Sequence, residues 1–282
     1  MKSIEAMKFQ VERNYKRADT FLRHEGFSGG LCRRVFLAGL VSRGGRAIHK
    51  HTPLEEGDAV AVAFGDEETD LAPEPFHQRI VYEDEDLMVI DKGIIPSMPC
   101  KMYPCATLAN EIAGYFQSIG LKRKVRMLGR LDKETTGLLM VAKNPYAYGV
   151  LEKNHTENKT YLALVLGAVT EPGIVDAPIG PGENSLVRVL REDGQRAVTR
   201  YRPLVTGKIS LLEITLKTGR THQIRCHLHA VGHPVLGDEL YGGGKGHVHF
   251  HVHRLSFIHP RTKEAVTCVS PMPDAWRDDM EG

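Results

Sequence analysis

A chain of 282 residues, 41% hydrophobic and 26% charged, is long enough for one large core or for a large core beside a small one. Its 37 Lys and Arg against 35 Asp and Glu leave a formal net charge of +2, which excludes a disordered polyion and confines any nucleic-acid contact to local basic patches. Apolar runs such as residues 162–169 fall far short of the roughly 20 residues of a membrane span, and residues 1–17 hold no apolar core of a signal peptide. The five cysteines are scattered and odd in number, with no CxxC pair, so reduced thiols in a cytoplasmic protein are expected.

Residues 1–65 carry eleven Lys and Arg against seven Asp and Glu. Phe21, Leu22 and Phe27 fall on a first helical segment, and Ser28 is placed to cap a second one bearing Leu31, Val35, Phe36 and Leu40. Gly44-Gly45 marks a two-residue hairpin turn, because such turns need positive φ, and residues 58–62 alternate as a strand does. Arg33 and Arg34 stand apart from the apolar positions of the second helix, followed by Arg43, Arg46 and Lys50. Residues 65–78, acidic and rich in turn formers, read as a linker.

Beyond the linker, strand-like runs occupy residues 79–82, 87–91, 138–142, 161–166 and 210–216. Thr107 is placed to cap a helix with Leu108, Ile112, Tyr115 and Ile119 on one side, and Asn144-Pro145 opens another. Residues 221–231 form a third, with Ile224, Leu228 and Val231 as its apolar stripe. Strand and helix do not alternate regularly enough for a doubly wound sheet. The expectation is α+β, with a mixed, mainly antiparallel sheet and flanking helices.

Two stretches could carry chemistry. In the first, residues 129–137, Asp132 lies between basic residues on a glycine-ended loop before an apolar strand. In the second, residues 216–225, Arg225 enters the first turns of a helix, where the dipole disfavours a cation and calls for an anionic partner. His247, His249, His251 and His253 alternate and would share one face of a strand. No Cys or carboxylate is interleaved and no HExxH occurs, so a strand with polar residues outward is expected instead of a metal centre. His222, His227, His229 and His233 are expected on the helix surface or a pocket wall. The run from Gly242 to Gly246 lacks the spacing of a phosphate-binding loop and reads as a flexible connection.

Taken in order, GRLDKETTGLLMVAK, KTYLALVLG, LKTGRTHQIRCHL with GHPVLGDELYG, and RLSFIHP resemble the RluA-type family of pseudouridine synthases over residues 79–282. Residues 15–63 resemble the small S-four-type RNA-binding domain that commonly precedes it. The resemblance implies three parts: an RNA-binding domain over 1–65, a linker over 66–78 and a catalytic domain over 79–282. It implies Asp132 as the catalytic aspartate and Arg130 as the side chain that fills the stack vacated by a flipped nucleotide. Tyr161 would pack against the target base, Arg225 would pair with Asp132, and Ile224 would line the uracil pocket. Arg33, Arg34, Arg43 and Arg46 become candidates for RNA-backbone contact.

Two departures stand out. Gly129 replaces the family's usual His before Arg-Leu-Asp, which bears on RNA positioning. Asp91-Lys92-Gly93-Ile94-Ile95 with Met98-Pro99 stands where the family has Asp-Lys-Pro-Ala-Gly with its His-Pro, and these changes are expected to lie away from the chemical core. The implied reaction breaks the N1–C1′ bond of uridine and joins C5 to C1′ with no net oxidation, so no cofactor and no metal are expected. A carboxylate can attack the sugar, stabilise its developing positive charge, or remove a ribose proton. The nucleotide must first leave its stack, at a cost of a few kcal/mol. Ribosomal RNA is preferred to transfer RNA as substrate, with a monomer acting alone. The alternative is a non-catalytic RNA-binding or ribosome-assembly protein on the same fold.

Overall fold

Apolar side chains at helical spacing near the N-terminus close over a small sheet. The computed structural model describes residues 6–154, 158–183 and 187–281. It begins with β1 (Met7–Gln10), α1 (Ala18–His24), α2 (Gly29–Leu37), the hairpin of β2 (Val41–Arg43) and β3 (Arg46–Ala47), and β4 (Ala59–Val62). The sheet runs β1-β4-β2-β3. Ser28 starts α2 by accepting a hydrogen bond from Leu31 N at 3.2 Å. Gly44 and Gly45 hold φ of 57° and 79°, the backbone that the tight turn requires. Phe21, Leu22, Leu31 and Val35 are buried with Val60 and Val62, and Phe27 joins them from the bend between the helices instead of from α1 itself.

Residues 63–78 form no strand or helix, yet they are not a free tether. Both Glu67 carboxylate oxygens accept from Arg126, at 2.8 and 2.5 Å. Asn110 Nδ2 donates to Ala72 O, and His77 N donates to Glu111 Oε2. Where the segment crosses the following helix, a Cβ at Gly114 would collide with the Glu74 backbone. The acidic stretch is thus strapped along basic and polar side chains of the larger unit.

That unit continues through β5 (Arg79–Glu83), β6 (Leu87–Lys92), α3 (Leu108–Ser118), β7 (Arg126–Leu128), β8 (Thr136–Ala142), α4 (Pro145–Asn154) and β9 (Asn158–Leu166). There follow β10 (Gly173–Asp176), β11 (Ile179–Pro181), β12 (Arg188–Leu190), β13 (Val198–Val205), β14 (Ile209–Leu216), α5 (Gln223–Ala230), β15 (Phe250–Ile258), β16 (Ala265–Val269) and α6 (Trp276–Glu281). The main sheet runs β10-β13-β14-β9-β15-β8-β6-β5, with β16 on β15 and β7 on β8. Among these described pairings only β8 with β15 is parallel. The fold is α+β, with a mixed, mainly antiparallel sheet.

Two central strands show how sequence sets the layers. β8 is an unbroken apolar run buried on both faces. In β9 the period of two divides labour: Ala163 and Val165 pack under α5, while Leu162 and Leu164 face Trp276 of α6. Helix α5 is too short to persist alone, and Ile224 and Leu228 anchor it, each contributing roughly 1.5–3 kcal/mol by burial. Val231 lies past the end of α5 and is exposed, as is Ile119 beyond α3, so neither belongs to the apolar stripe expected of it. Asn144 Oδ1 caps α4 by accepting from Ala147 N at 2.8 Å.

The alternating histidines do not lie on an outward face. His247 is exposed before β15, whereas His249 and His251 are buried. His251 bonds Thr136 Oγ1 at 2.8 Å and Ser270 Oγ at 3.1 Å, because the parallel junction of β8 and β15 encloses it. A bulge between Val252 and Arg254 then breaks the period of two.

Candidate active site

The loop of residues 129–135 joins β7 to β8 and opens beside the parallel junction. The chain can leave it so tightly because Gly137, at φ 102°, has no Cβ to strike the Val252 backbone of β15. Asp132 is half-buried on this loop, its side chain 41% exposed toward a cleft of about 560 Å³. The cleft brings together Arg130, Asp132, Tyr161, Ile224 and Arg225, with Lys159, His222 and Phe250 on the same walls. Tyr161 and Phe250 stack at 5.1 Å between ring centroids and 7° between planes, and both line the cleft. Arg130 is exposed at the rim, and Ile224 is buried in the wall.

Arg225 differs from the simple partner of Asp132 that the sequence implies. Its Nε and NH2 donate to the two oxygens of fully buried Asp238, at 2.5 and 2.7 Å. Its remaining NH1 lies 3.5 Å from Asp132 Oδ2. Burial is the largest single influence on the Arg225 charge and opposes it, but the hydrogen bonds and charge of Asp238, together with Asp132, raise the guanidinium above its ordinary value. One carboxylate therefore fixes the guanidinium plane and the other faces its free edge. Tyr241 completes the support, its ring 5.1 Å from the Arg225 guanidinium carbon.

His222 precedes α5 with φ 55°, in the left-handed region. Its Nε2 lies 3.6 Å from Asp132 Oδ2, and its Nδ1 lies 3.2 Å from the Tyr241 hydroxyl. Burial, and next the charge of Arg225, push the imidazole below its ordinary range despite Asp132 and Asp238. At neutral pH it is an uncharged wall of the cleft.

The opening motif does not lie away from the chemical core. Lys92, at the end of β6, is 1% exposed and sits beneath the loop. Its Nζ donates to the carbonyls of Asp132 at 3.0 Å, Lys133 at 3.1 Å, Thr135 at 2.6 Å and Gly93 at 3.0 Å. Ser97 Oγ adds a bond to Leu131 O at 2.6 Å. Gly93 N donates to Gln78 Oε1, a bond that the family's usual proline could not make. Gly129, where the family has His, takes φ 77°, and a Cβ built there would stand 3.5 Å from Lys159 Nζ. An L side chain at Gly129 is strained by its backbone, and the adjoining space holds a lysine.

The N-terminal arginines lie far from this loop in the chain, on the smaller unit. Arg33, Arg34 and Arg46 are exposed, while Arg43 NH1 donates to Asp58 Oδ2 at 2.8 Å. Sequence reasoning missed Asp238, Lys92 and Phe250. The only available signals were the motifs around Asp238 and Lys92, which carry no spacing toward Asp132.

Known proteins share the sequence and the fold of this chain. A family model described as RNA pseudouridylate synthase matches residues 100–230. The uncharacterized RNA pseudouridine synthase YjbO of Bacillus subtilis is 39% identical over 232 residues, covering 78% of this chain and 82% of that protein. Ribosomal large subunit pseudouridine synthase D of Nitrosomonas europaea is 35% identical over 240 residues, covering 77% and 69%. Among solved structures, human RNA pseudouridylate synthase domain containing 1 superposes with a TM-score of 0.58 at 26% identity, covering 69% of this chain and 83% of the other. With the same α+β sheet and an aspartate loop opening onto a cleft, the chain belongs to the RluA-type family of RNA pseudouridine synthases.

Proposed function

We propose that this RNA pseudouridine synthase works through Asp132, in the cleft that the Tyr161–Phe250 stack also lines. The observation that carries the assignment is the convergence of a half-exposed carboxylate, an oriented guanidinium edge 3.5 Å away and an aromatic stack in one hollow. A flipped uridine placed against Tyr161 presents its sugar to Asp132, which attacks C1′, shields its positive charge or removes a ribose proton. Arg225 holds the carboxylate in place, Ile224 supplies apolar wall to the detached uracil, and Arg130 at the rim fills the vacated stack. The base turns against the aromatic wall, C5 bonds to C1′, and the C5 proton leaves, with the Tyr161 hydroxyl assisting.

Residues 1–65 act as an S-four-type RNA-binding domain, with the order of helices and hairpin in support. Arg33, Arg34 and Arg46 contact the RNA backbone together with Arg43, which shares its guanidinium with Asp58. Residues 66–78 connect this domain to the catalytic domain of residues 79–282. The substrate is ribosomal RNA before transfer RNA, a preference supported by the name of the Nitrosomonas relative. The enzyme acts as a monomer in the cytoplasm.

The test is Asp132→Asn. The amide keeps size and hydrogen bonding but cannot serve as nucleophile or base. It should retain folding and RNA affinity while pseudouridine formation, read by chemical mapping of RNA from cells lacking the gene, falls below detection. An Asn variant that keeps more than a small fraction of the wild-type rate removes Asp132 from the mechanism. No pseudouridine from the wild type on any cellular RNA would leave a non-catalytic RNA binder.

A further inference from the structure

Beside the Asp132 cleft lies a second hollow of about 430 Å³, and Arg220 and Thr221 form part of the wall of both. Its far side is the β11–β12 hairpin and the turn after it, which bring Arg188 and Arg191 to the lining. Three arginines, Arg188, Arg191 and Arg220, and one acidic residue, Asp193, are among the residues that line this hollow. We propose that the hollow grips the phosphodiester backbone of the RNA strand next to the target nucleotide, through Arg188, Arg191 and Arg220. This inference rests on the chain being an RNA pseudouridine synthase.

The guanidinium of Arg191 is positioned before any ligand arrives. Its Nε and NH2 donate to the Asp193 carboxylate at 2.5 and 2.7 Å, and its NH1 donates to Pro181 O at 3.2 Å. The stem lies flat on β11 because Gly180 leaves it room: a Cβ there would stand 2.6 Å from Arg191 Cδ. A held arginine loses less side-chain entropy on binding, and the guanidinium hydrogens that Asp193 and Pro181 leave over can meet phosphate oxygens.

The hairpin is also tied to the catalytic apparatus. Arg188 N donates to the Tyr241 hydroxyl at 2.8 Å, the same hydroxyl that lies beside His222 and whose ring supports Arg225. Across the hollow, Arg220 Nε donates to Arg196 O at 3.4 Å. A strand held by these three arginines therefore enters the first cleft over Arg220 at a fixed distance from Asp132. Exposed arginines at the mouth of a site lower the free energy of RNA already bound nearby, and that share of affinity depends on salt.

The experiment uses the full chain and an oligouridylate of about fifteen nucleotides, with fluorescence anisotropy measured across a salt series. Arg188→Gln/Arg191→Gln should weaken binding and flatten the slope of log affinity against log salt by about 1.4, at about 0.7 for each phosphate of a single strand that is no longer neutralised. On RNA from cells lacking the gene, KM should rise roughly tenfold with kcat within about twofold of wild type. Asp193→Asn removes the opposing charge and should move affinity the other way, to tighter binding, which a merely damaged hairpin cannot do.

An unchanged salt slope in the double Gln variant, or weaker binding by Asp193→Asn, would each overturn the proposal. Pseudouridine formation by the wild type reports separately on the parent assignment. Its presence with an unchanged slope sinks the groove alone, and its absence sinks the parent.

Discussion

Replacing Lys92 with Met tests whether one buried cation holds the Asp132 loop in register. Methionine fills a similar volume and leaves the three loop carbonyls, of Asp132, Lys133 and Thr135, without their donor. Hydrogen bonds to a charged group are worth about 1.5–3 kcal/mol each, but one ammonium has only three protons for four acceptors and itself suffers from burial. A net loss of roughly 3 kcal/mol follows, or about 6–12 °C in melting temperature for a chain of this size. The larger effect is on rate, because a loop free to shift by about 1 Å costs on the order of 100-fold in kcat.

A second readout is pH. Burial pushes the Lys92 ammonium down to about 8 from 10.5, with Asp132 and Glu134 opposing. The folded state therefore carries a penalty of about 3 kcal/mol that is fully present below pH 8 and is relieved as pH rises toward the unfolded value. Between those limits the unfolded chain binds more protons, so this group makes stability rise with pH. The same deprotonation loosens the carbonyl cage, so kcat should fall above pH 8. Differential scanning fluorimetry and single-turnover rates across pH 7–10 should show the opposed trends in wild type and neither in Lys92→Met. A Met variant with wild-type kcat and melting temperature would refute the cage.

Asp238→Asn should cut kcat by about 100-fold while RNA affinity holds, since Arg225 stays buried with its stronger partner weakened, a change of roughly 3 kcal/mol; a melt and a rate on one RNA check it. Tyr161→Phe keeps the aromatic wall, so RNA affinity should stay near normal and 5-fluorouridine RNA should still be processed, while pseudouridine from ordinary RNA nearly disappears. Wild-type turnover by the Phe variant would reduce Tyr161 to packing. Arg33→Gln/Arg34→Gln should flatten the salt dependence of RNA binding by about 0.7–0.9 for each phosphate that α2 no longer neutralises, and an unchanged slope would clear that helix of any part in RNA binding.

What the sequence made legible was local. Helices α1 to α4 announce themselves by apolar spacing and by Ser28, Thr107 and Asn144 at their starts, and β6, β8, β9 and β14 by apolar runs. Strand β1, with Met7 and Phe9 in a charged setting, gave no signal, because only pairing with β4 makes it a strand. The short strands β7 and β10 to β12 share that dependence on partners. At the site, Asp132 and Arg225 were legible through ordered motifs. Lys92 was passed over because it meets the loop only when β6 pairs with β8, Lys92 opposite Gly137. Asp238 stands thirteen residues from Arg225 across a turn that no helix or strand period describes. The histidines misled for a related reason: alternation implies an exposed face, and the parallel junction turned that face into interior.

Tyr146 on α4 is buried among the side chains of the small N-terminal unit, and its hydroxyl donates to Glu25 O and lies 3.2 Å from Pro260 O. Phe9 and Phe27 pack on its ring, at 5.8 and 4.6 Å. A bolt of this kind makes the two units a caliper with one setting. If RNA seats on α2 as proposed, the cleft would receive only those uridines that lie one span away, and selection among chemically identical uridines would become a measurement of length. Shortening or lengthening the RNA between its two seats should move the modified position along the strand, leaving the chemistry at Asp132 untouched.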